Sequence, residues 1–279
     1  MGEAAQAAIC DGRVKQAAAP AMEWAGGWRA TAADAAQDPT FLAGYAVVTG
    51  VYFLSSLVFT VLDAMHERRG TLGAARFQGP AGLKAGTGLD WALYRRAWGV
   101  AVWNYAFVSL PLGFAFSVLR AASPGRGWPA WGASVPGPLT WAVHLAAFVL
   151  VEEVCFFHVH RAMHSGLLYG RLHKLHHTWT QPVAVSAVYC TSFEMAFQNV
   201  IPVLLGPHLM RSHPAVTLAW ATFVVLNTTV VHSGYAALSD GRHDLHHQRS
   251  DCNFGVLGLF DRIHGTGRSQ PRARRPHPA

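Results

Sequence analysis

Long uncharged apolar runs alternate with polar segments along this chain. Four of these runs approach or exceed the roughly 20 residues that a helix needs to cross the hydrocarbon core of a bilayer. They cover residues 41–62, 97–119, 133–151 and 214–231. Pro111 interrupts the second run, which a membrane helix tolerates better than a soluble one. The pattern predicts an all-α integral membrane protein with about four transmembrane helices.

A fifth apolar segment, residues 183–210, contains Glu194, Pro202 and Gly206. We expect it to form a broken or re-entrant helix that pairs with 214–231 as a hairpin. Basic residues are concentrated in 65–96, between the first two runs, so this loop should lie in the cytosol. Each of the first three runs crosses the membrane once, and the hairpin returns to the side from which it enters. The polar segments after the third and fourth runs should therefore lie in the cytosol as well.

Composition supports a membrane protein, because 51% of the 279 residues are hydrophobic and only 13% are charged. The net charge of +7 forms no basic stripe interleaved with aromatic residues, which argues against nucleic-acid binding. The four cysteines are scattered, and we expect them to be reduced and not to bind metal. Residues 1–40 lack the pattern of a cleavable signal peptide and should be poorly ordered. Residues 268–279 should form a disordered basic tail.

Nine histidines stand in four short clusters between the third run and the tail. They are His160 and His164; His173, His176 and His177; His232; and His243, His246 and His247. Residues three or four apart share one face of a helix, so each cluster should direct its imidazoles to one point. Imidazole suits iron, zinc, copper and nickel. One structural zinc takes about four ligands, so nine histidines indicate two metals.

The other histidines are interpreted as surface or core residues. His144 lies in an apolar run and should be a buried, hydrogen-bonded side chain. His158 is two residues from His160 and therefore faces another side of the helix. The remaining ones are His66, His208, His213, His264 and His277.

The motifs around the nine histidines resemble the fatty acid hydroxylase superfamily, and its C4-methylsterol oxidase branch in particular. The resemblance covers roughly residues 140–266, within a predicted membrane domain of residues 41–267 whose histidine motifs span 158–266. The motifs are VEEVCFFHVHRAMH (151–164), HKLHHTWTQP (173–182), HSGY (232–235) and HDLHHQRSDCNFGVLGLFDRIHGT (243–266).

The resemblance implies a multi-pass, non-haem di-iron oxygenase of the endoplasmic reticulum. Two iron ions would be bound by the same nine histidines, in a cytosolic helical cap. Electrons would come from NAD(P)H through a cytochrome b5-type donor, and the substrate would be a lipid or sterol. Such an enzyme oxidises a lipid C–H bond with O2, in this branch during sterol biosynthesis.

Two details of the site are left open by the sequence. Many relatives have a His-Pro pair where this chain has Tyr189-Cys190-Thr191-Ser192. Ligating histidines usually donate their other N–H to a carboxylate or carbonyl. The acids that can serve here are Glu152, Glu153, Glu194 and Asp244, although Glu152 and Glu153 can equally be a solvated pair at the membrane interface.

Three alternatives to sterol oxidation remain. A hydroxylase or desaturase of fatty acyl or sphingoid lipids would use the same metal site. A zinc hydrolase would leave histidines unexplained, since its site usually takes three protein ligands. A non-enzymatic lipid-binding membrane protein would not need all nine histidines.

Overall fold

The computed structural model describes residues 39–71, 89–122 and 128–269. Within these ranges the chain forms helices and turns and no β-strand, which confirms the all-α prediction. Residues 1–38 and 270–279, where disorder was predicted, lie outside the described residues.

Four helices are long and apolar enough to cross a membrane, as predicted. The first is α1 (Pro39–Arg68). The second consists of α2 (Trp91–Asn104), a π turn (Tyr105–Ser109) and α3 (Leu110–Ala121) in one continuous helix. The third and fourth are α4 (Pro138–Met163) and α7 (Pro214–His232).

The π turn of the second span lies directly before Pro111. Proline lacks an N–H and its ring clashes with the carbonyl four residues earlier, so a regular α-helix cannot continue through it undisturbed. A wider π turn at Tyr105–Ser109 changes the bonding pattern there, and the helix continues to Ala121.

The third span extends further than its apolar run indicated. The run ends at residue 151, whereas α4 continues to Met163 and therefore includes His160. Glu152, Glu153 and His160 are each less than 7% exposed. These polar residues ended the hydrophobic pattern, but the protein interior accommodates them and the helix does not stop.

The segment predicted as a broken helix is broken near its start, where a 3₁₀ turn (Ala184–Val188) and a short connection precede the longer helical part. This part consists of α5 (Ser192–Glu194), a π turn (Met195–Val200) and α6 (Ile201–Leu209) in one continuous helix, and a short turn then leads into α7. Pro202 follows this π turn by two residues, as Pro111 follows the π turn of the second span, so both prolines stand where the regular α-helical bonding is already altered. Helix α6 packs closely along α4.

Buried polar contacts fix the membrane helices to the segments around the histidines. Asp63 of α1 accepts hydrogen bonds from the hydroxyls of Tyr94 (2.5 Å) and Tyr235 (2.9 Å). Asn104 of α2 donates to the carbonyls of Val188 and Cys190, both at 3.0 Å. The histidine-rich cap is therefore held from beneath by two of the four spans.

Large apolar side chains cover the outer surface of the spans. Leu54, Phe107, Leu139 and Phe223 are each at least 60% exposed. Exposed apolar surface of this extent is typical of a face that contacts lipid.

The close approach of α6 to α4 gives a test of this packing. A Cβ at Gly206 would lie 2.8 Å from Cα of Phe148, whereas a Cβ at Gly50 in α1 would meet no atom within 4 Å. We expect Gly206→Ala to destabilise the detergent-solubilised protein by about 1–3 kcal/mol, because backbone atoms must shift. Gly50→Ala, also inside a helix, is the control and should not lower the thermal unfolding midpoint. Equal midpoints for the two variants would contradict the packing.

Candidate metal centre

The nine clustered histidines converge at the C-terminal ends of α4 and α7 and form two groups. Within each group the candidate ligand nitrogens all lie within 4.8 Å of one another. The five-histidine group consists of His160, His164, His173, His177 and His246. The four-histidine group consists of His176, His232, His243 and His247.

Five elements supply these side chains. Helix α4 provides His160, and His164 is its C-cap residue. A π turn (Tyr169–His173) and a 3₁₀ turn (His176–Thr178) provide the next three. His232 is the last residue of α7, and α8 (Arg242–Arg249) provides the final three.

Each His-x-x-His-His run is shared between the two groups, so the prediction that each cluster points to one place is wrong. In α8, His243 and His247 are four residues apart and share a face, whereas His246 lies about 100° away from its neighbour His247. His173 and His177 likewise join one group, and His176 joins the other. In each run, the two consecutive histidines therefore belong to different groups, so that the run connects the two groups.

The spacing of the nitrogens fits a metal ion at the centre of each group. Imidazole nitrogens bind zinc at about 2.0–2.1 Å, which puts neighbouring ligands about 3.0 Å apart at a right angle and about 3.4 Å apart at a tetrahedral angle. Six Nε2–Nε2 pairs in the two groups are separated by 2.8–3.4 Å.

Hydrogen bonds on the outer side of the rings determine which nitrogen faces inward. In four of the histidines, Nδ1 lies 2.7–2.8 Å from a backbone carbonyl oxygen. The pairs are His160 with Phe254, His232 with Thr228, His246 with Cys252, and His247 with Trp179. A carbonyl only accepts, so Nδ1 donates in each pair and Nε2 presents its lone pair to the group.

These inward lone pairs conflict unless a cation separates them. Nε2 of His243 is 2.8 Å from that of His232 and 3.0 Å from that of His247. A single proton on His243 can satisfy only one of these two lone pairs. In the other group, Nε2 of His164 is buried and has no hydrogen-bond partner among the described residues. The donor set therefore fits a bound metal ion.

Burial keeps the ligands in the neutral form that metal binding requires. Loss of hydration lowers the pKa of His164 to about 3 and the pKa of His177 to about 4. Burial, followed by the neighbouring imidazoles, also lowers the pKa values of His243 and His247. A neutral imidazole keeps the lone pair with which it binds a metal.

Among the carboxylates considered from sequence, Glu194 contacts a ligand candidate. Its Oε1 lies 3.0 Å from Nδ1 of His173, and the residue is 1% exposed. Glu153 instead accepts hydrogen bonds from the backbone N–H groups of Leu257 (2.7 Å), Leu259 (2.8 Å) and Phe260 (3.3 Å). Asp244 is buried within α8.

The loop that follows α8 closes the site through its backbone, which sequence reasoning missed. The carbonyls of Cys252 and Phe254 accept from two histidines, as described above. Asn253 adopts a positive φ of 57° between them. Asp261, in α9 (Leu259–His264), accepts from the N–H groups of Phe254 (2.9 Å) and Gly255 (2.7 Å). Nη2 of Arg242 also lies 4.0 Å from the Asp261 carboxylate.

Histidines interpreted as non-ligands lie outside both groups. His158 is exposed, and its Nδ1 lies 2.7 Å from the carbonyl oxygen of Val154. His144 contacts the hydroxyl of Ser212 at 2.9 Å and is half-buried. His213 caps α7 by accepting from the N–H of Ala215. His277 lies outside the described residues.

The segment Tyr189–Ser192, where many relatives have a histidine, is a packed connection. Cys190 is 2% exposed, and Thr191 donates its hydroxyl hydrogen to the carbonyl of Leu172 at 2.8 Å. This bond links the segment to the π turn that carries His173. The segment therefore supports the site structurally.

A cavity of about 1270 Å³ connects the membrane interior with the histidines. It extends along α7 from Pro214 to His232, a rise of about 27 Å. Three members of the four-histidine group, His176, His232 and His243, line it, and no member of the five-histidine group does. The two groups are therefore not equivalent, because one faces the cavity.

Comparison with known proteins agrees with this geometry. The family model for fatty acid hydroxylase matches residues 145–266, which include all nine histidines. This part of the chain is similar to the fatty acid hydroxylase family. No solved structure matches the chain significantly.

Three curated relatives match different lengths of the chain. Human fatty acid hydroxylase domain-containing protein 2 is 39% identical over 127 residues, 44% of this chain and 38% of the relative. Delta(7)-sterol 5(6)-desaturase of Gibberella zeae is 29% identical over 141 residues, 47% of this chain and 40% of the relative. Methylsterol monooxygenase 2-2 of Arabidopsis thaliana is 28% identical over 245 residues, 80% of this chain and 84% of the relative. The chain thus matches well under half the length of the first two.

The two-group arrangement predicts how metal content depends on single histidines. We expect the purified chain to hold about two metal ions and His246→Ala or His243→Ala to reduce this to about one, because each substitution removes a ligand from a different group. The loss of metal from the affected group should be more complete in His243→Ala, because that group has four histidines and the other has five. Elemental analysis of the purified variants measures this.

His158→Ala is the matched control, since His158 is near the site but belongs to neither group. It should keep the full metal content. The same loss of metal in all three variants would contradict the two-group arrangement.

Proposed function

We propose that this chain is a membrane-bound non-haem di-iron oxygenase that oxidises a lipid C–H bond with O2. The most favoured substrate is a sterol, as in C4-methylsterol oxidation. The observation that carries the proposal is the pair of adjacent imidazole groups, of which the four-histidine group lines an apolar, lipid-sized cavity. The printed names of the relatives, which include a methylsterol monooxygenase and a sterol desaturase, support the sterol class.

Iron is the proposed metal because imidazole binds it well and because it is redox-active. When bound, iron supplies the O2 activation that amino-acid side chains cannot provide. Zinc shares the same ligands and can replace iron in purified protein, but it has no redox chemistry.

The protein contributes position and the exclusion of water. His176, His232 and His243 form the end wall of the cavity, so a lipid inside it can present a C–H bond to the four-histidine group. The carbonyl acceptors and Glu194 hold the rings in fixed orientations, which prepares the site before substrate binds. The apolar walls of α6 and α7 bind the rest of the lipid.

The overall reaction balances with two electrons and two protons. One oxygen atom enters the C–H bond as a hydroxyl, and the other leaves as water. In a desaturation, two hydrogens leave the lipid and both oxygen atoms become water. A hydroxylase or desaturase of fatty acyl or sphingoid lipids is the alternative enzyme, and a lipid-binding protein without activity is the non-enzymatic alternative.

The electrons are proposed to come from NAD(P)H through a cytochrome b5-type donor on the cytosolic side of the endoplasmic reticulum membrane. The five-histidine group does not line the cavity, and the ring of half-buried Tyr169 lies 5.6 Å from that of His164. Exposed Arg171 and Lys174 flank this face, and no acidic residue occurs between Glu153 and Glu194. A basic face of this kind suits an acidic electron carrier.

Isotope-labelled O2 tests the proposed reaction in membranes that contain the iron-loaded chain, NAD(P)H and an electron-donor system. With a methylsterol, we expect label in the hydroxyl of the product. Product without label but with a new double bond would indicate desaturation. His243→Ala should reduce turnover to background, whereas His158→Ala should keep wild-type turnover. Absence of oxidised product from sterol, acyl and sphingoid lipids in iron-replete protein would contradict an oxygenase.

A further inference from the structure

Two buried polar side chains in the wall of the cavity have no assigned role. Glu152 of α4 is 6% exposed and makes no hydrogen bond to any described residue. Gln198 is 4% exposed, and its Oε1 has no hydrogen-bond partner among the described residues. Both residues line the cavity.

The contrast with the adjacent acid indicates that Glu152 is not simply a misplaced structural group. Glu153 satisfies its carboxylate with three backbone N–H groups of the closing loop. Glu152 faces the cavity, where the neighbouring wall residues Val149 and Phe156 are apolar. An acid within a membrane-spanning helix is expensive to maintain and usually has a function.

The packing of α6 on α4 fixes the depth of these groups. Gly206 of α6 lies against Phe148 of α4, and the two helices run in opposite directions. Gln198 is eight residues before Gly206, which puts it near the level of Phe156, about one helical turn from His160. Glu152 lies about one turn further from the histidines, toward the membrane interior. The two groups therefore lie just below the metal centre, on the membrane side.

The hydrogen-bonding capacity of Gln198 Oε1 and of the Glu152 carboxyl group determines which chemical group of a ligand fits between them. Gln198 Oε1 only accepts, so it needs a donor. A carboxyl group accepts when ionised and both donates and accepts when protonated. A hydroxyl group donates and accepts, and therefore satisfies Gln198 and either form of Glu152, whereas an ether or a ketone offers no donor.

We propose that Gln198 and Glu152 form a hydroxyl-recognition subsite, and that the chain binds lipids whose hydroxyl group enters the cavity just below the four-histidine group. This inference rests on the proposed function, because it names a feature of the substrate that the same cavity admits. The hydroxyl of a sterol and that of a sphingoid lipid share this chemistry. A fatty acyl ester without a hydroxyl lacks it.

Equilibrium binding without O2 or reductant tests the subsite independently of turnover. The full chain in lipid nanodiscs is titrated with tritium-labelled cholesterol, and unlabelled cholesterol or cholesterol methyl ether competes. We expect the ether to compete about tenfold more weakly, since it cannot donate a hydrogen bond and leaves a buried acceptor unsatisfied. A parallel experiment with a ceramide and its O-methylated analogue distinguishes a sphingoid from a sterol ligand.

Substitutions connect the discrimination to the two residues. Gln198→Met and Glu152→Leu should each reduce the preference for the hydroxyl form to twofold or less, while Glu152→Gln, which keeps an acceptor oxygen, should retain part of it. Leu209→Met, in helix α6 but exposed and outside the cavity lining, is the matched control and should keep the full preference. Metal content and the thermal unfolding midpoint identify any variant that fails to fold, and Glu152→Gln then tests the subsite alone.

The binding results test the hydroxyl subsite independently of whether the chain is an oxygenase. Preference for the hydroxyl form that depends on Gln198 or Glu152 supports the subsite even where no lipid is oxidised. Equal binding of the hydroxyl and methylated forms in both lipid classes, failure of both classes to bind, or a preference that survives both substitutions would overturn it, even for an active oxygenase.

Discussion

Mutual repulsion of imidazole lone pairs is the constraint on which this structure depends. Nine neutral rings lie in two groups with Nε2 atoms about 3 Å apart, and carbonyl acceptors prevent several of them from turning away. Without cations, this interior would contain polar atoms that face each other without hydrogen bonds, which is a costly arrangement. The tertiary structure around the site therefore fits the proposed binding of one metal ion by each group.

The membrane helices make that arrangement possible by bringing distant segments to one place. Helices α4 and α7 both end at the histidines, so residues more than 70 positions apart in sequence share one centre. Helix α8 and the turns at 169–178 each contribute three more of the candidate ligands, and the loop after α8 contributes the carbonyls of Cys252 and Phe254 that orient two of the rings. Asp63 and Asn104 connect the first two spans to the same region, so the cavity wall and the metal centre form one unit.

The sequence predicts the parts of this structure that follow from a long run of one residue class or from clustered residues of one type. The spans follow from uncharged runs, and the nine histidines follow from their clustering. The division into two groups could not be predicted, because it depends on how α8 and the turns at 169–178 pack against each other, so that His246 joins His173 and His177 while His176 joins His243 and His247. The end of α4 was missed because buried Glu152, Glu153 and His160 resemble the polar end of a span.

The outer contacts of the histidines were only partly predictable for a related reason. A carboxylate can be recognised in a sequence, and Glu194 was among the candidates. A backbone carbonyl leaves no such trace, so the roles of Cys252, Phe254 and Trp179 required the three-dimensional structure. The same is true of the difference between Glu153, which fixes a loop, and Glu152, which faces the cavity.

X-ray absorption at the metal edge of zinc-substituted protein tests the two-metal centre most directly. The account predicts two zinc ions per chain, each surrounded by imidazole nitrogens at about 2.0–2.1 Å. It also predicts no sulfur ligand, since the described cysteines belong to neither histidine group. A single zinc ion per chain, or a sulfur shell at about 2.3 Å, would contradict the account.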